Sequence, residues 1–172
     1  FIAMGGGLVC ADISTLTIMN SNIVSNTAYN ESGNNGTGGG VFLSRANTSF
    51  NNVNILSNYS AYAGGGLACL DASPTIEYSN ISYNETGGNG GGFVFAGGEN
   101  YGYSEYKYPY ISNSLINSNV AGEDASVLYT INNIVPILSN LTIVNNTGNY
   151  IAKGYGGGGF TILINSIIWN NQ

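Results

Sequence analysis

The chain has no histidine, few charges, two cysteines and no long apolar run. Without histidine it lacks the commonest general base, the commonest metal ligand and every Ser–His or Cys–His nucleophile pair. Acid–base chemistry is left to carboxylates. Charged residues make up 7% of the 172, against roughly a quarter in ordinary soluble domains. Three basic residues, Arg45, Lys107 and Lys153, stand against nine acidic ones. They cannot form a patch that neutralises a phosphate backbone or an anionic lipid surface, so no nucleic-acid partner is expected. No stretch of about 18 uninterrupted apolar residues is present, so no membrane insertion is expected. Cys10 and Cys69 are too few for a disulfide framework and lack the spacing of a metal site. The chain starts at Phe1, and no charged segment followed by an apolar one precedes the first motif. It reads as a mature or excerpted product whose targeting signal lies elsewhere.

What is present is a 43% apolar fraction, enough for a core, with polarity supplied by Asn, Gly, Ser, Thr and Tyr. These residues recur in order. Glycine triplets at Gly5–Gly7, Gly38–Gly40, Gly64–Gly66 and Gly90–Gly92, and a run of four at Gly156–Gly159, each precede a short apolar run. The runs are Leu8-Val9-Cys10, Val41-Phe42-Leu43, Leu67-Ala68-Cys69, Phe93-Val94-Phe95 and Phe160-Thr161-Ile162, with Val127-Leu128-Tyr129 as a version that has lost its glycines. A second block ends in Ile-x-x-Asn, six times: Ile23 to Asn26, Ile55 to Asn58, Ile81 to Asn84, Ile116 to Asn119, Ile143 to Asn146 and Ile168 to Asn171. Six residues before the closing Asn stand Asn20, Asn52, Tyr78, Asn113, Asn140 and Asn165. Eight before it stand Ile18, Phe50, Ile76, Ile111, Leu138 and Leu163.

Closing asparagines fall 32, 26, 35, 27 and 25 residues apart. A coil that short has no room for a crossover helix beside its strands, and the apolar runs alternate with period two between Asn and Gly bends, as strands do. The expected fold is all-β: one domain over residues 1–172, a parallel β-helix of about six rungs near 5–37, 38–63, 64–89, 90–125, 126–155 and 156–172, with loop insertions after rungs one and four. Stacking puts each column one strand spacing apart, so six rungs make a rod of about 29 Å. Aligned asparagines can then pass amide hydrogen bonds from rung to rung. On the same register Cys10 and Cys69 are separated by Leu43 and both stay free.

The Gly-Gly-apolar-apolar strand followed by an apolar-x-x-Asn closure resembles the repeats of polymorphic outer-membrane proteins and related secreted surface β-helix proteins, which are similar in turn to the pectin-lyase-like right-handed β-helix. The resemblance covers essentially the whole chain and implies a right-handed solenoid. It departs from the outer-membrane group in closing on Ile rather than Phe and in having no barrel after the repeats. Functions of such proteins range from adhesins and surface layers to polysaccharide lyases.

For chemistry, the nearest grouping is Asp12, Arg45 and Asp71, each five residues after its glycine triplet and so stacked acid, base, acid. That pattern fits a surface ion-pair ladder better than a catalytic set. No calcium-type acidic run exists, and no cofactor or metal is expected. The fourth-rung insertion carries Tyr101, Tyr103, Tyr106, Tyr108 and Tyr110. Together with Trp169 these are candidate contacts for a glycan or a protein partner. Asn30, Asn35, Asn47, Asn80 and Asn145 begin glycosylation sequons outside the inner column, with Asn30 and Asn35 the accessible ones. Outward positions Val9, Phe42, Ala68, Val94 and Leu128, and Val24, Leu56, Val144 and Trp169, are expected to form exposed apolar stripes. Taken together these features lead to the expectation of a non-catalytic extracellular structural or adhesive surface protein that stacks end to end with itself. The alternative is a polysaccharide-binding or polysaccharide-cleaving module using the tyrosine-rich loop.

Overall fold

A computed structural model describes residues 3–12, 15–29, 35–98, 105–156 and 160–172. Among these the regular elements are all strands, and every strand pairing is parallel. One sheet holds Leu8–Ala11, Val41–Ser44, Leu67–Leu70, Phe93–Ala96, Ala125–Ile131 and Tyr150–Tyr155 in sequence order. A ten-stranded sheet begins with two long strands, Thr15–Val24 and Asn47–Leu56. Later repeats break the same path into pairs such as Thr75–Glu77 with Asn80–Ser82 and Tyr110–Ser112 with Leu115–Asn117. A narrow third sheet stacks Thr27–Ala28, Tyr59–Ser60, Glu85–Thr86 and Val120–Ala121. Each strand pairs with its equivalent in the next repeat and not with its neighbour in sequence. Curled parallel sheets of this kind are compatible with a solenoid.

The bends explain much of the composition. Within the ten-stranded sheet the chain turns at Asn20, Asn52, Tyr78, Asn113, Asn140 and Asn165, all with φ between 46° and 54°. It turns again at Ser25, Ser57, Tyr83, Ser118, Asn145 and Asn170, with φ between 52° and 59°. The left-handed region is costly for most side chains and least so for Asn and Gly, whence their abundance. The glycine triplets answer two separate demands. Gly64 has φ +66°, whereas Gly65 is pinned by packing: a Cβ there would lie 2.5 Å from the Glu85 carbonyl oxygen and 2.6 Å from that of Gly91.

The core consists of registered columns. Ile23, Ile55, Ile81, Ile116, Ile143 and Ile168 pair each with the next, and the four inner ones, Ile55, Ile81, Ile116 and Ile143, are buried. Ile18, Phe50, Ile76, Ile111, Leu138 and Leu163 form a second column in the same way. Opposite them, Cys10, Leu43, Cys69 and Phe95 lie in line, and both cysteines are buried and free.

Beside the isoleucines runs a polar column. The Nδ2 of Asn26, Asn58, Asn84, Asn119 and Asn146 donates to Oδ1 of the next asparagine at 2.8–3.0 Å, ending at Asn171. Each Oδ1 also accepts the backbone N–H of the preceding asparagine. The second Nδ2 hydrogen goes to the isoleucine carbonyl one repeat back, as from Asn84 to Ile55 at 2.9 Å. Asn58, Asn84, Asn119 and Asn146 are almost wholly buried, with every amide valence filled. Outer asparagines repeat the device in part, from Asn52 to Asn20 at 2.8 Å and from Asn140 to Asn113 at 3.3 Å, interrupted where Tyr78 stands.

Three expectations are corrected. The sixth strand of the first sheet is Tyr150–Tyr155, upstream of the last glycines, while Ile162 of the Phe160-Thr161-Ile162 run belongs to the ten-stranded sheet. Leu128 pairs with Phe93 and faces the core, and Tyr129 takes the outward place. An irregularity between Ala125 and Leu128 moves the register by the one residue that exchanges faces. Finally, Phe42, Ala68 and Val94 do point outward but are buried, forming with Ala63 a small second core against Leu70 and Tyr129. Val9 is exposed. Beside the Ile column Val24 and Trp169 are exposed, and Leu56 and Val144 are half-buried.

Two outcomes follow for stability. Asn119→Ala strands the N–H and one amide hydrogen of Asn84 and the Ile81 carbonyl, and should cost about 3 kcal/mol or more. The exposed Asn52→Gly, which keeps the left-handed bend, should stay within about 1 kcal/mol. Urea denaturation of both at pH 7 checks this, and equal losses would remove the inner ladder as the main polar support. Burial pushes the Cys69 thiol well above its ordinary pKa. The native state therefore holds that proton more tightly than the unfolded chain, and stability falls as pH rises past about 8.5. Comparing urea midpoints at pH 8 and pH 10 for the wild type and Cys69→Ala should show a smaller alkaline loss in the variant.

Candidate functional site

After the first sheet the chain turns at Asp12, Arg45, Asp71 and Asn132, all left-handed. This bend throws polar side chains out of the stack. Arg45 forms an ion pair with Asp12, so the acid–base–acid column exists in its lower half. Asp71 departs from it: Oδ1 accepts the Gly98 N–H at 2.6 Å, the side chain is about nine-tenths buried, and Oδ2 has no hydrogen-bond partner.

Arg45, Asn47 and Asp71 share a pocket of about 190 Å³ with Lys107. Lys107 arrives on the returning limb of the tyrosine-rich insertion. That limb is fastened by the Lys107 N–H to the Asn133 carbonyl at 3.0 Å, the Val135 N–H to the Lys107 carbonyl at 2.8 Å, and the Tyr108 N–H to the Ser73 hydroxyl at 3.1 Å. Gly98, where the insertion leaves the first sheet, is held on Asp71. Both limbs of the insertion are therefore moored at the same pocket. The two ion pairs among the described residues are Arg45–Asp12 and Lys153–Asp124, and among those residues no carboxylate lies in ion-pair range of Lys107. Among the described residues the pocket is lined by two cations, Arg45 and Lys107, one carboxylate, Asp71, and the Asn47 amide.

Of the tyrosines proposed as contacts, Tyr106 and Tyr108 are exposed on either side of Lys107, with ring centroids 6.5 Å apart. Tyr110 is half-buried in the sheet, its hydroxyl paired with that of Ser139 at 3.1 Å. Tyr101 and Tyr103 lie outside the described residues. Trp169 is exposed on the outer face of the last strand. Among the sequons, Asn35 and Asn47 are exposed, Asn80 receives the Ser82 hydroxyl on its Oδ1, and Asn145 both donates to Asn117 and accepts from Asn170. Asn30 lies outside the described residues. Sequence reasoning missed Asn47 and Lys107 as partners of Arg45 and Asp71. The available signal was that two of only three cations flank one bend and one insertion.

A second polar group sits on the outer face of the first sheet. Lys153 donates to Asp124 at 2.7 Å and lies 5.1 Å from the centre of the Tyr150 ring. The hydrogen bond to Asp124 raises the Lys153 pKa. Burial, and after it Asp124, raises that of Tyr129. Among the described residues no group of three or more His, Cys, Asp or Glu could hold a metal ion. Comparison with family models, curated proteins and solved structures finds no match to this chain.

Proposed function

We propose that the chain is a single-domain, right-handed parallel β-helix of about six rungs, akin to the pectin-lyase-like and polymorphic outer-membrane repeats, and that it serves as a non-catalytic structural or adhesive protein at an extracellular surface. The observation that carries this reading is the buried amide ladder beside the isoleucine column. Its side chains satisfy one another along the stacking axis, which suits a rigid rod, and they do so without charge, which suits the chain's sparse surface charge. Because every Nδ2 donates in the same sense along the axis, a further coil can extend the ladder only by placing an asparagine at the same point. A second copy stacking on that axis is therefore the partner proposed. Asn35, exposed in the first insertion, is the position proposed for glycosylation.

The polysaccharide-binding alternative draws its support from the pocket at the base of the tyrosine-rich insertion. Negative-stain electron microscopy with light scattering tests the first reading. Rods of a single width, lengthening with concentration, are expected. A compact particle of constant mass up to high concentration would overturn self-stacking, and turnover of a polysaccharide by the purified protein would overturn the non-catalytic reading.

A further inference from the structure

The chain contains two Asn-Gly sequences, Asn35-Gly36 and Asn89-Gly90. Such a pair is chemically fragile, because glycine has no side chain to shield its backbone nitrogen, which can reach the carboxamide carbon of the asparagine before it. The two pairs stand in opposite surroundings. At Asn89 both reacting groups are held: Nδ2 donates to Glu123 Oε2 at 3.0 Å, Oδ1 accepts the Asp124 N–H at 3.2 Å, and the Gly90 N–H donates to the Ala125 carbonyl at 2.9 Å. At Asn35 the side chain is exposed and makes no hydrogen bond among the described residues. Gly36 is fixed by packing, since a Cβ there would run into the Ala28 carbonyl. The fold thus imposes the glycine at 36, and with it the unshielded nitrogen beside an unrestrained carboxamide.

We infer that Asn35 is a site of spontaneous deamidation, a covalent change that the native structure permits there and blocks at Asn89. The Gly36 nitrogen bonds to Asn35 Cγ, the Cγ–Nδ2 bond breaks, and the amide nitrogen leaves as ammonia with the proton from Gly36. Water then opens the cyclic imide at either carbonyl, giving aspartate or isoaspartate. Only water is consumed. Either product adds a negative charge to a chain already at −6. Isoaspartate also routes the main chain through the side chain, lengthening it by one carbon just before Gly36. The Gly36 carbonyl accepts the N–H groups of Tyr62 at 2.9 Å and Ala63 at 3.2 Å, and Ala63 belongs to the small outer core with Phe42, Ala68 and Val94. The lengthened product therefore pulls on these bonds, whereas the aspartate product leaves the main chain as it was. The inference stands apart from the proposed surface role. A glycan on Asn35 would occupy the leaving nitrogen, so the two modifications exclude each other at this residue.

The test uses the whole chain made without N-linked glycans, incubated folded in mildly alkaline buffer beside the same chain in concentrated urea. Peptide mapping reads the mass gain of deamidation at each site, and enzymatic methylation counts isoaspartate. In the folded chain Asn35 should convert at least about tenfold faster than Asn89, because conversion at Asn89 first requires its hydrogen bonds to open. In urea the two sites should convert at similar rates, since the native contacts are what separate them. Asn35→Gln should remove the fast conversion and leave the urea midpoint close to wild type. Folded protein carrying isoaspartate at 35 should exchange the Tyr62 and Ala63 amide hydrogens faster than fresh protein. Equal conversion of the two sites in the folded chain, or faster conversion at Asn89, would overturn the inference. So would an Asn35 that stays intact in the folded chain over a period in which the urea-unfolded chain converts it. A difference between the sites that persists in urea would overturn the structural explanation in favour of local sequence. Unchanged exchange at Tyr62 and Ala63 would overturn the strain assigned to the isoaspartate product.

Discussion

The amide-to-amide hydrogen bond between asparagines one repeat apart is the interaction on which the remaining architecture depends. A buried side-chain amide has two donors and two acceptor sites to fill, and an apolar interior supplies none of them. Here the neighbouring amide, its backbone N–H and an isoleucine carbonyl supply all four, so polar atoms can lie against a hydrocarbon core without penalty. The arrangement works only at one strand spacing and one orientation. That requirement fixes the spacing of successive repeats and keeps the adjoining isoleucines in register with one another. It also lets the chain bury polar residues with no ion pair near them.

Bends follow from the same constraint. If every repeat must keep the same register, every repeat must turn at the same places, and the turns fall where φ is positive. Asn, Ser and Gly occupy most of those places because their side chains are short, or absent, and can bond locally. Where a larger residue is forced into the bend, as with Tyr78, Tyr83 and Arg45, its side chain is thrown outward. Tyr78 and Tyr83 are among the most exposed large residues, and Arg45 reaches Asp12 across the surface. The charged pocket is thus a by-product of backbone geometry: the left-handed bend after the first sheet presents Arg45 and Asp71 side by side, and the insertion brings Lys107 to them.

Much of this was legible in the sequence because columns repeat. The Ile-x-x-Asn signature located both the isoleucine column and the inner ladder, and the outer asparagines marked the bends that the structure shows. Legibility failed where repetition failed. The stretch around Leu128 has no glycine triplet to set its phase, and the irregularity after Ala125 moved the register by one residue, enough to exchange faces. The last glycines misdirected the sixth strand of the first sheet because they follow that strand instead of preceding it. Ser79 and Ser114, whose hydroxyls accept the N–H groups of Val53 and Ser79, escaped notice because their column is shared with Val53 and Leu141 and shows no constant residue type. The pocket was hidden for a different reason: Lys107 comes from an insertion, and insertions have no column to be read from.

Spacings between closing asparagines range from 25 to 35 residues, yet the pairing of Ile23 through Ile168 never slips. Length variation is therefore absorbed outside the columns, at sites that leave the ladder unchanged. Contacts reach one repeat in either direction, so energetic coupling decays over nearest neighbours, as in a one-dimensional chain of springs. A segment grafted between Gly98 and Glu105, or between Tyr29 and Asn35, would load only the repeats that flank it. Such a scaffold can exchange its surface attachments one at a time while its spine keeps a constant register.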